Sequence, residues 1–426
     1  MTLFKRLINT CLFCIFAMTT MAQSGSNSPY SRYGFGQLSD QGFGNSKAMG
    51  GIAYGLRNGY QINAANPASY SAVDSLTFLF DFGMSLQNAN FKENDVKTNA
   101  KNSTIDYIAM QFRLWERMGM TVGFLPYSIV GYNMNQVKSI STDEYGNPIN
   151  SLSTYSGDGS LQQVFMGLGF KVLESLSVGA NFSYLYGDIT HSVNTTFSNT
   201  NAYSSVRSEK MEISDYKLDF GLQYTHKFGK KHKINLGAVY SFGHDLNGNG
   251  YNLKETYQSG STIPMTQTVD TLKNAFSLPH SLGIGATYVY NNRLTVGVDY
   301  TLQKWEEVKF FNEKGNFQNR SKISMGAEYL PNPISRNYLN RIRYRMGAYY
   351  SDPYIKVNGQ EGAREYGASL GLGLPLEVFQ GRSILNISGQ YVKVSPKAKG
   401  MLEENYLRIN IGLTFNDRWF MKWKVE

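Results

Sequence analysis

The chain is poor in the residues on which most enzymes and most disulfide-built scaffolds depend. It has two cysteines in 426 residues, Cys11 and Cys14. Both lie in a leader with a basic start (Lys5, Arg6), the apolar run "LINTCLFCIFAM" and small residues before a cleavage expected after Ala22. This is the pattern of a secretory signal peptide over residues 1–22. Neither cysteine follows the small residues that a lipidation site requires, so both leave with the leader. Without them a disulfide framework and thiol catalysis are excluded. The five histidines, His191, His226, His232, His244 and His280, sit on separate segments with no metal-ligand spacing. No G-x-S-x-G elbow and no Walker loop is present. Losing Lys5 and Arg6 lowers the net charge from +9 to +7, and the charge is scattered rather than blocked, which argues against nucleic acid. After residue 22 no run approaches the roughly 20 apolar residues of a membrane helix.

No enzyme, metal or cofactor is expected from this inventory. A barrel-embedded lipase with Ser and His on distant strands stays open as an alternative. "DLNGNG" at 245–250 copies the first half of a calcium loop, but Thr256 stands where the bidentate Glu belongs, and Glu255 comes one place early. It reads as an Asn/Gly-rich turn.

Glycine (42), tyrosine (30) and phenylalanine (25) are abundant, and their placement is periodic. Leu76, Phe78, Phe80, Phe82, Met84 and Leu86 alternate with Thr77, Leu79, Asp81, Gly83 and Ser85. "DYKLDFGLQYT" and "RLTVGVDYTLQKW" repeat the pattern, a greasy face backed by a small, wet one. A soluble sandwich would show the reverse economy, an apolar buried face and a charged outer one. A membrane barrel needs an apolar outside, aromatic girdles and a polar lumen. Strands are expected near 76–86, 103–115, 118–130, 160–172, 175–189, 212–228 and 232–243. Seven more fall near 279–290, 293–305, 320–330, 341–350, 363–376, 382–393 and 404–415. The connections alternate long (87–102, 131–159, 190–211, 244–278, 306–319, 351–362, 394–403) and short (Glu116-Arg117, Leu173-Glu174, Asn291-Asn292), with 331–340 the longest of the short set. Fourteen antiparallel strands with that parity make an outer-membrane barrel, with both chain ends on the periplasmic side. Phe78, Phe80, Phe220 and Leu222 should face lipid. Trp419, Met421, Trp423 and Val425 alternate too, but a fifteenth strand would break parity, so 416–426 is read as a tail.

"NPA" at 66–68, "GLGFKVLESLSVGANFSYLYGD" at 167–188, "LPHSLGIGATYVYNNRLTVGVDYTLQKW" at 278–305 and "RIRYRMGAYYSDPYI" at 341–355 resemble the FadL family. That family comprises Gram-negative outer-membrane transporters of long-chain fatty acids and other hydrophobic compounds. The likeness spans about residues 45 to 415, with Leu278-Pro279 and Trp305 at places the family marks with Leu-Pro and Trp. The lead-in "GLRNGYQINAANPA" departs from the family's small, often acidic stretch. The resemblance implies that residues 23–75 form a hatch inside the barrel of 76–415, with Asn66, Pro67 and Ala68 fixing its exit into the first strand. Nine glycines from Gly25 to Gly59 suit close packing against a wall. A disordered periplasmic tail is the alternative.

Pro126 interrupts the third strand, where the family has a kink that opens a lateral gap. Proline cannot donate to a ladder, and Gly123 and Gly131 offer backbone freedom on either side. The alternative is a harmless bulge near the outer rim. Arg341, Arg343 and Arg345 alternate with Ile342, Tyr344 and Met346 and should point into the lumen. There they bind a substrate carboxylate, or form a ladder with Glu328 (expected beside Arg343) and Glu365 (expected beside Arg345). The resemblance implies passive uptake of hydrophobic small molecules through a plugged barrel with a lateral exit, among outer-membrane lipids. The alternative is a barrel of the same type that carries or anchors protein partners, as in the type IX secretion shuttle. A greasy, ligand-sized pocket favours the first; a polar, filled lumen favours the second.

Overall fold

The computed structural model describes residues 25–418, apart from 94–95, 143–145, 147, 200, 259–260, 262, 358, 377–382 and 398–400. The expected signal peptide and residues 419–426 lie outside the described residues. The wall consists of β1 (Thr77–Glu93), β2 (Val96–Trp115), β3 (Met118–Thr142), β4 (Pro148–Lys171), β5 (Leu176–Phe197), β6 (Ser204–Phe228) and β7 (His232–Ser241). It continues with β8 (Ser281–Tyr290), β9 (Leu294–Gln303), β10 (Arg320–Tyr329), β11 (Arg343–Ser351), β12 (Arg364–Leu376), β13 (Ser383–Ser395) and β14 (Glu403–Arg418). Each strand pairs antiparallel with the next, and β14 pairs with β1 from Thr77↔Arg418 to Lys92↔Glu403, which closes a fourteen-stranded barrel.

The alternating pattern explains why these segments are strands. Val164, Met166, Leu168 and Phe170 of β4 are exposed on the outside, and so are Phe220 and Leu222 of β6. Phe78 and Phe80 are half-buried on the same outer face of β1, where the intervening Thr77, Leu79 and Asp81 are buried inside. Lipid replaces water on one face, so apolar residues are needed at every second position and nowhere else.

Four expected loops, 87–102, 131–159, 190–211 and 244–278, are instead largely sheet. β3, β4, β5 and β6 run 25, 24, 22 and 25 residues. A hairpin, Gly248–Tyr257 with Pro264–Lys273, pairs along the upper part of β6. At about 2.5 Å of height per tilted residue, an apolar band of about 25 Å takes only ten or so residues of each strand. The remainder stands outside the membrane as one tall antiparallel sheet. In that part both faces meet water or polar loops, so the greasy alternation disappears and leaves no strand signal in the sequence.

Two further boundaries differ. β14 continues to Arg418, three residues into the expected tail. β11 begins at Arg343, because Tyr338–Arg341 forms a 3-10 turn capped by the Asn337 side chain.

Residues 25–75 lie inside the wall. They touch the small-residue faces of strands around the barrel and contribute Phe43, Met49, Ile52, Ile62 and Tyr70 to its buried core. Both ends of the mature chain, expected on the periplasmic side, lie outside the described residues. Gly25 sits between the side chains of Thr104 and Ile129, well up the wall, and the segment descends to the mouth at Pro67–Ala72.

Candidate functional site

The Asn66-Pro67-Ala68 turn rests at the periplasmic end of β4, β5 and β6. The Asn66 side chain accepts the Ala68 N–H (3.1 Å) and donates to the carbonyls of Tyr54 (2.8 Å) and Leu222 (3.3 Å). Glycine is required beneath it. A β-carbon on Gly179 would stand 2.4 Å from the Pro67 carbonyl carbon, and one on Gly221 would stand 2.2 Å from Asn66 Oδ1. The wall therefore has side chains removed where the turn sits.

Higher up, inward polar residues of the wall hold the segment by its backbone. Asp299 of β9 accepts the N–H groups of Ala53 (2.6 Å) and Tyr54 (2.8 Å). Gln223 of β6 donates to the carbonyls of Tyr54 and Leu56 at 2.9 and 3.0 Å. Ser369 of β12 accepts from Gly50, and Tyr107 of β2 accepts from Gly44 while stacking on Phe43 at 3.9 Å between centroids. Lys47 pairs with Asp106 at 2.7 Å. None of these residues was singled out by sequence reasoning. The alternation placed Asp299 and Gln223 on the inner face, but it cannot say what meets them there.

Of the three arginines, Arg343 and Arg345 share one carboxylate. Glu328 accepts Arg343 Nη1 at 2.8 Å and Arg345 Nε at 2.7 Å, and Arg345 also donates to Asn386 Oδ1. The expected Arg345–Glu365 pair is absent. The β11–β12 register places Glu365 opposite Ser351 and Arg345 opposite Gly371, so Glu365 takes the Tyr349 hydroxyl instead. Arg341 ends the 3-10 turn that precedes the strand rather than lying on it; its guanidinium lies 5.5 Å from the Tyr338 ring centroid. The Tyr60 ring lies under the guanidinium of Arg343 at 4.8 Å.

Beside Pro126 the wall changes. The β2–β3 ladder runs from Trp115↔Met118 only to Ile108↔Phe124, although both strands continue outward. β3 then bulges between Pro126 and Ser128, and β2 carries its own irregularity opposite Gly83 and Met84, which swings Asp106 inward. Gly123 and Gly131 do not supply a left-handed turn, since neither has positive φ. The irregularity of the β3–β4 ladder falls at Tyr127, between them. In place of β2, residues Gln37–Leu38 of the inner segment pair antiparallel with Ile129 and Ser128. Ser39 N–H donates to the Tyr127 carbonyl, and Gln41 to that of Pro126.

A cavity of about 220 Å³ lies between this point and β6 to β12. Asp40, Asp219, Asp299 and Glu365 line it together with Lys217, Arg320, Lys322 and Arg408. Asp40 lies inside the barrel, and its carboxylate lines the cavity. Burial raises its pKa, but Lys322 (4.0 Å), Lys47, the Gly42 N–H and Arg408 outweigh that and hold it below the usual range. Beneath the outer loops the apolar core is filled. Phe35, Trp305, Phe276 and Phe317 are fully buried, with Trp305 5.7 Å from Phe35 and 4.5 Å from Tyr354 between ring centroids. Among the described residues no group of three or more His, Cys, Asp and Glu is arranged to hold a metal ion.

The fold matches solved outer-membrane channels. The toluene transporter TodX of Pseudomonas putida superposes with a TM-score of 0.60 at 17% identity, over 90% of this chain and all of that one. The monoaromatic hydrocarbon channel CymD gives 0.58 at 15%, over 91% and 100% of the two chains. A FadL homologue of Pseudomonas aeruginosa gives 0.57 at 13%, over 89% and 98%. The resemblance to the FadL family therefore holds for the fold. A sequence model of the family described as BamG matches residues 3–426.

Proposed function

The chain belongs to the BamG family, and from that premise we propose that it serves a protein partner in the outer membrane. In this reading it is a hatch-filled barrel that carries or anchors another polypeptide. One observation carries it: the cavity beside the inner segment is ringed by four acidic and four basic side chains, while the apolar space under the outer loops is occupied by the protein's own aromatics. Pockets for apolar small molecules are lined mainly by hydrophobic groups and run from about 300 Å³ upward. This cavity is smaller and charged, and an apolar solute entering it would strip water from those charges without replacing it. The tall outer sheet, by contrast, offers a protein-sized surface.

Passive uptake of hydrophobic small molecules is the second reading, and the end of the β2–β3 ladder favours it. In that reading the interrupted ladder beside Pro126 serves as a lateral exit toward lipid, and TodX and CymD are named for toluene and monoaromatic hydrocarbons. Native mass spectrometry of the gently solubilised protein separates the two. A stoichiometric complex with a second polypeptide is expected. A lone barrel that retains an apolar small molecule overturns the first reading in favour of the second.

A further inference from the structure

β3 has a free edge outside the membrane. Above Phe124 it has lost β2, and residues 133–142 pair only with β4 among the described residues. The Gly131 N–H and carbonyl point to the open side, where the Ser31 hydroxyl meets both, at 3.2 and 3.3 Å. Backbone groups alternate sides along an antiparallel strand. Those of Asn133, Asn135, Val137 and Ser139 therefore face the same open side as Gly131. Rows of exposed N–H and C=O groups are templates for another strand, and proteins ordinarily blunt them with proline, charge or cover. From 133 to 139 this edge has no proline and one charge, Lys138, and its Val137 is 67% exposed. The opposite end of the same sheet, Pro264–Lys273, does carry those guards: a leading proline, Asp270 and Lys273.

We propose that this edge receives an extended strand of the partner polypeptide, paired antiparallel to β3 over residues 133–139. The protein performs this addition itself one step lower on the same edge, where Gln37–Leu38 pairs with Ile129 and Ser128. The incoming strand continues that pairing outward, with its backbone bonded to alternate residues of β3. On the outer face it sets an apolar side chain beside Val137 and its cross-strand neighbour Leu152, which is 40% exposed. Main-chain bonds supply affinity in such docking, and alternate side chains supply selectivity.

The proposal rests on the partner reading above, and the test separates the two. A photo-crosslinking residue is placed at Val137 in the full-length protein in its own outer membrane, and complexes are followed by native mass spectrometry. Asn135→Pro removes an edge-facing donor and leaves the β4 ladder untouched; Asn135→Ala keeps the donor. The expected result is an adduct mapping to one extended partner segment. It falls at least tenfold in Asn135→Pro and is unchanged in Asn135→Ala, with heat-modifiable barrel assembly intact in both. Should the proline variant fail to assemble, hydrogen exchange on the wild type decides. Amides of 133–139 are then slowed in the complex relative to the isolated barrel, and equal exchange overturns the proposal. A complex that persists with an undiminished adduct in Asn135→Pro overturns edge docking while leaving the partner reading standing. Crosslinks to a second copy, or to residues 1–24 of this chain, overturn it as well. The absence of any partner complex removes the reading beneath it.

Discussion

Replacing Asp299 with alanine removes the carboxylate that accepts two backbone N–H groups of the inner segment, from Ala53 at 2.6 Å and Tyr54 at 2.8 Å. Hydrogen bonds to a charged acceptor contribute about 1.5–3 kcal/mol each, so the pair holds the segment by about 3–6 kcal/mol. The adjoining cavity lowers the effective loss, because water that enters beside Thr301 and Lys322 can solvate the freed amides. Taking the low end, about 3 kcal/mol corresponds to a factor of about 150 in an opening equilibrium. Hydrogen exchange read on the Ala53 and Tyr54 amides should therefore accelerate by about a hundredfold. Amides of β4 and β5, which pair strand to strand without this residue, should not change. Asp299→Asn keeps an acceptor oxygen and should recover most of the protection. Acceleration of less than tenfold in Asp299→Ala, or an equal rise in the wall amides, would refute the claim that this carboxylate pins the segment.

Arg345→Met should destabilise the barrel in denaturant by about 3 kcal/mol, the low end for breaking a buried pair, because Arg343 still meets Glu328. Arg341→Met should cost less than Arg345→Met, since Arg341 is half-buried on the turn whereas Arg345 is buried in its pair with Glu328. Gly179→Val places a side chain against the backbone of Pro67 and Ala68. It should loosen the inner segment by about 1–3 kcal/mol, seen as new protease cleavage between 50 and 75 with the wall intact. The Asp40 carboxyl has a depressed pKa in the folded protein, so its stabilisation is full above the unfolded value of about 4 and is lost as pH falls through the folded value. Asp40→Asn should therefore flatten the acid limb of hydrogen exchange in residues 37–42 and leave neutral pH as its region of greatest loss. If the lateral exit conducts apolar solutes, Pro126→Val should slow toluene entry with assembly unchanged; equal entry removes Pro126 from that route.

The amino-acid sequence by itself determined the part of this protein that lipid touches. In a bilayer, each outward residue meets hydrocarbon and each inward one meets the lumen, so Phe78, Phe80, Phe220 and Leu222 announce their strands through composition alone. The reading of the glycine-rich stretch before Leu76 as a hatch, with Asn66-Pro67-Ala68 at its exit, rests on the resemblance to the FadL family rather than on composition or periodicity. Tertiary structure alone decided everything set by register or by what fills the interior. Arg345 meets Glu328 rather than Glu365 because the β11–β12 ladder carries Glu365 up to Ser351. The tall outer sheet of β3 to β6 escaped notice because water on both faces erases the alternation. That β2 departs at Ile108, that a bulge at Tyr127 rather than Gly123 or Gly131 accommodates it, and that Gln37–Leu38 fills the place depend on backbone pairings made between segments far apart in the chain. Every non-proline residue carries the same main-chain donor and acceptor, so side-chain identity cannot encode which of them will meet.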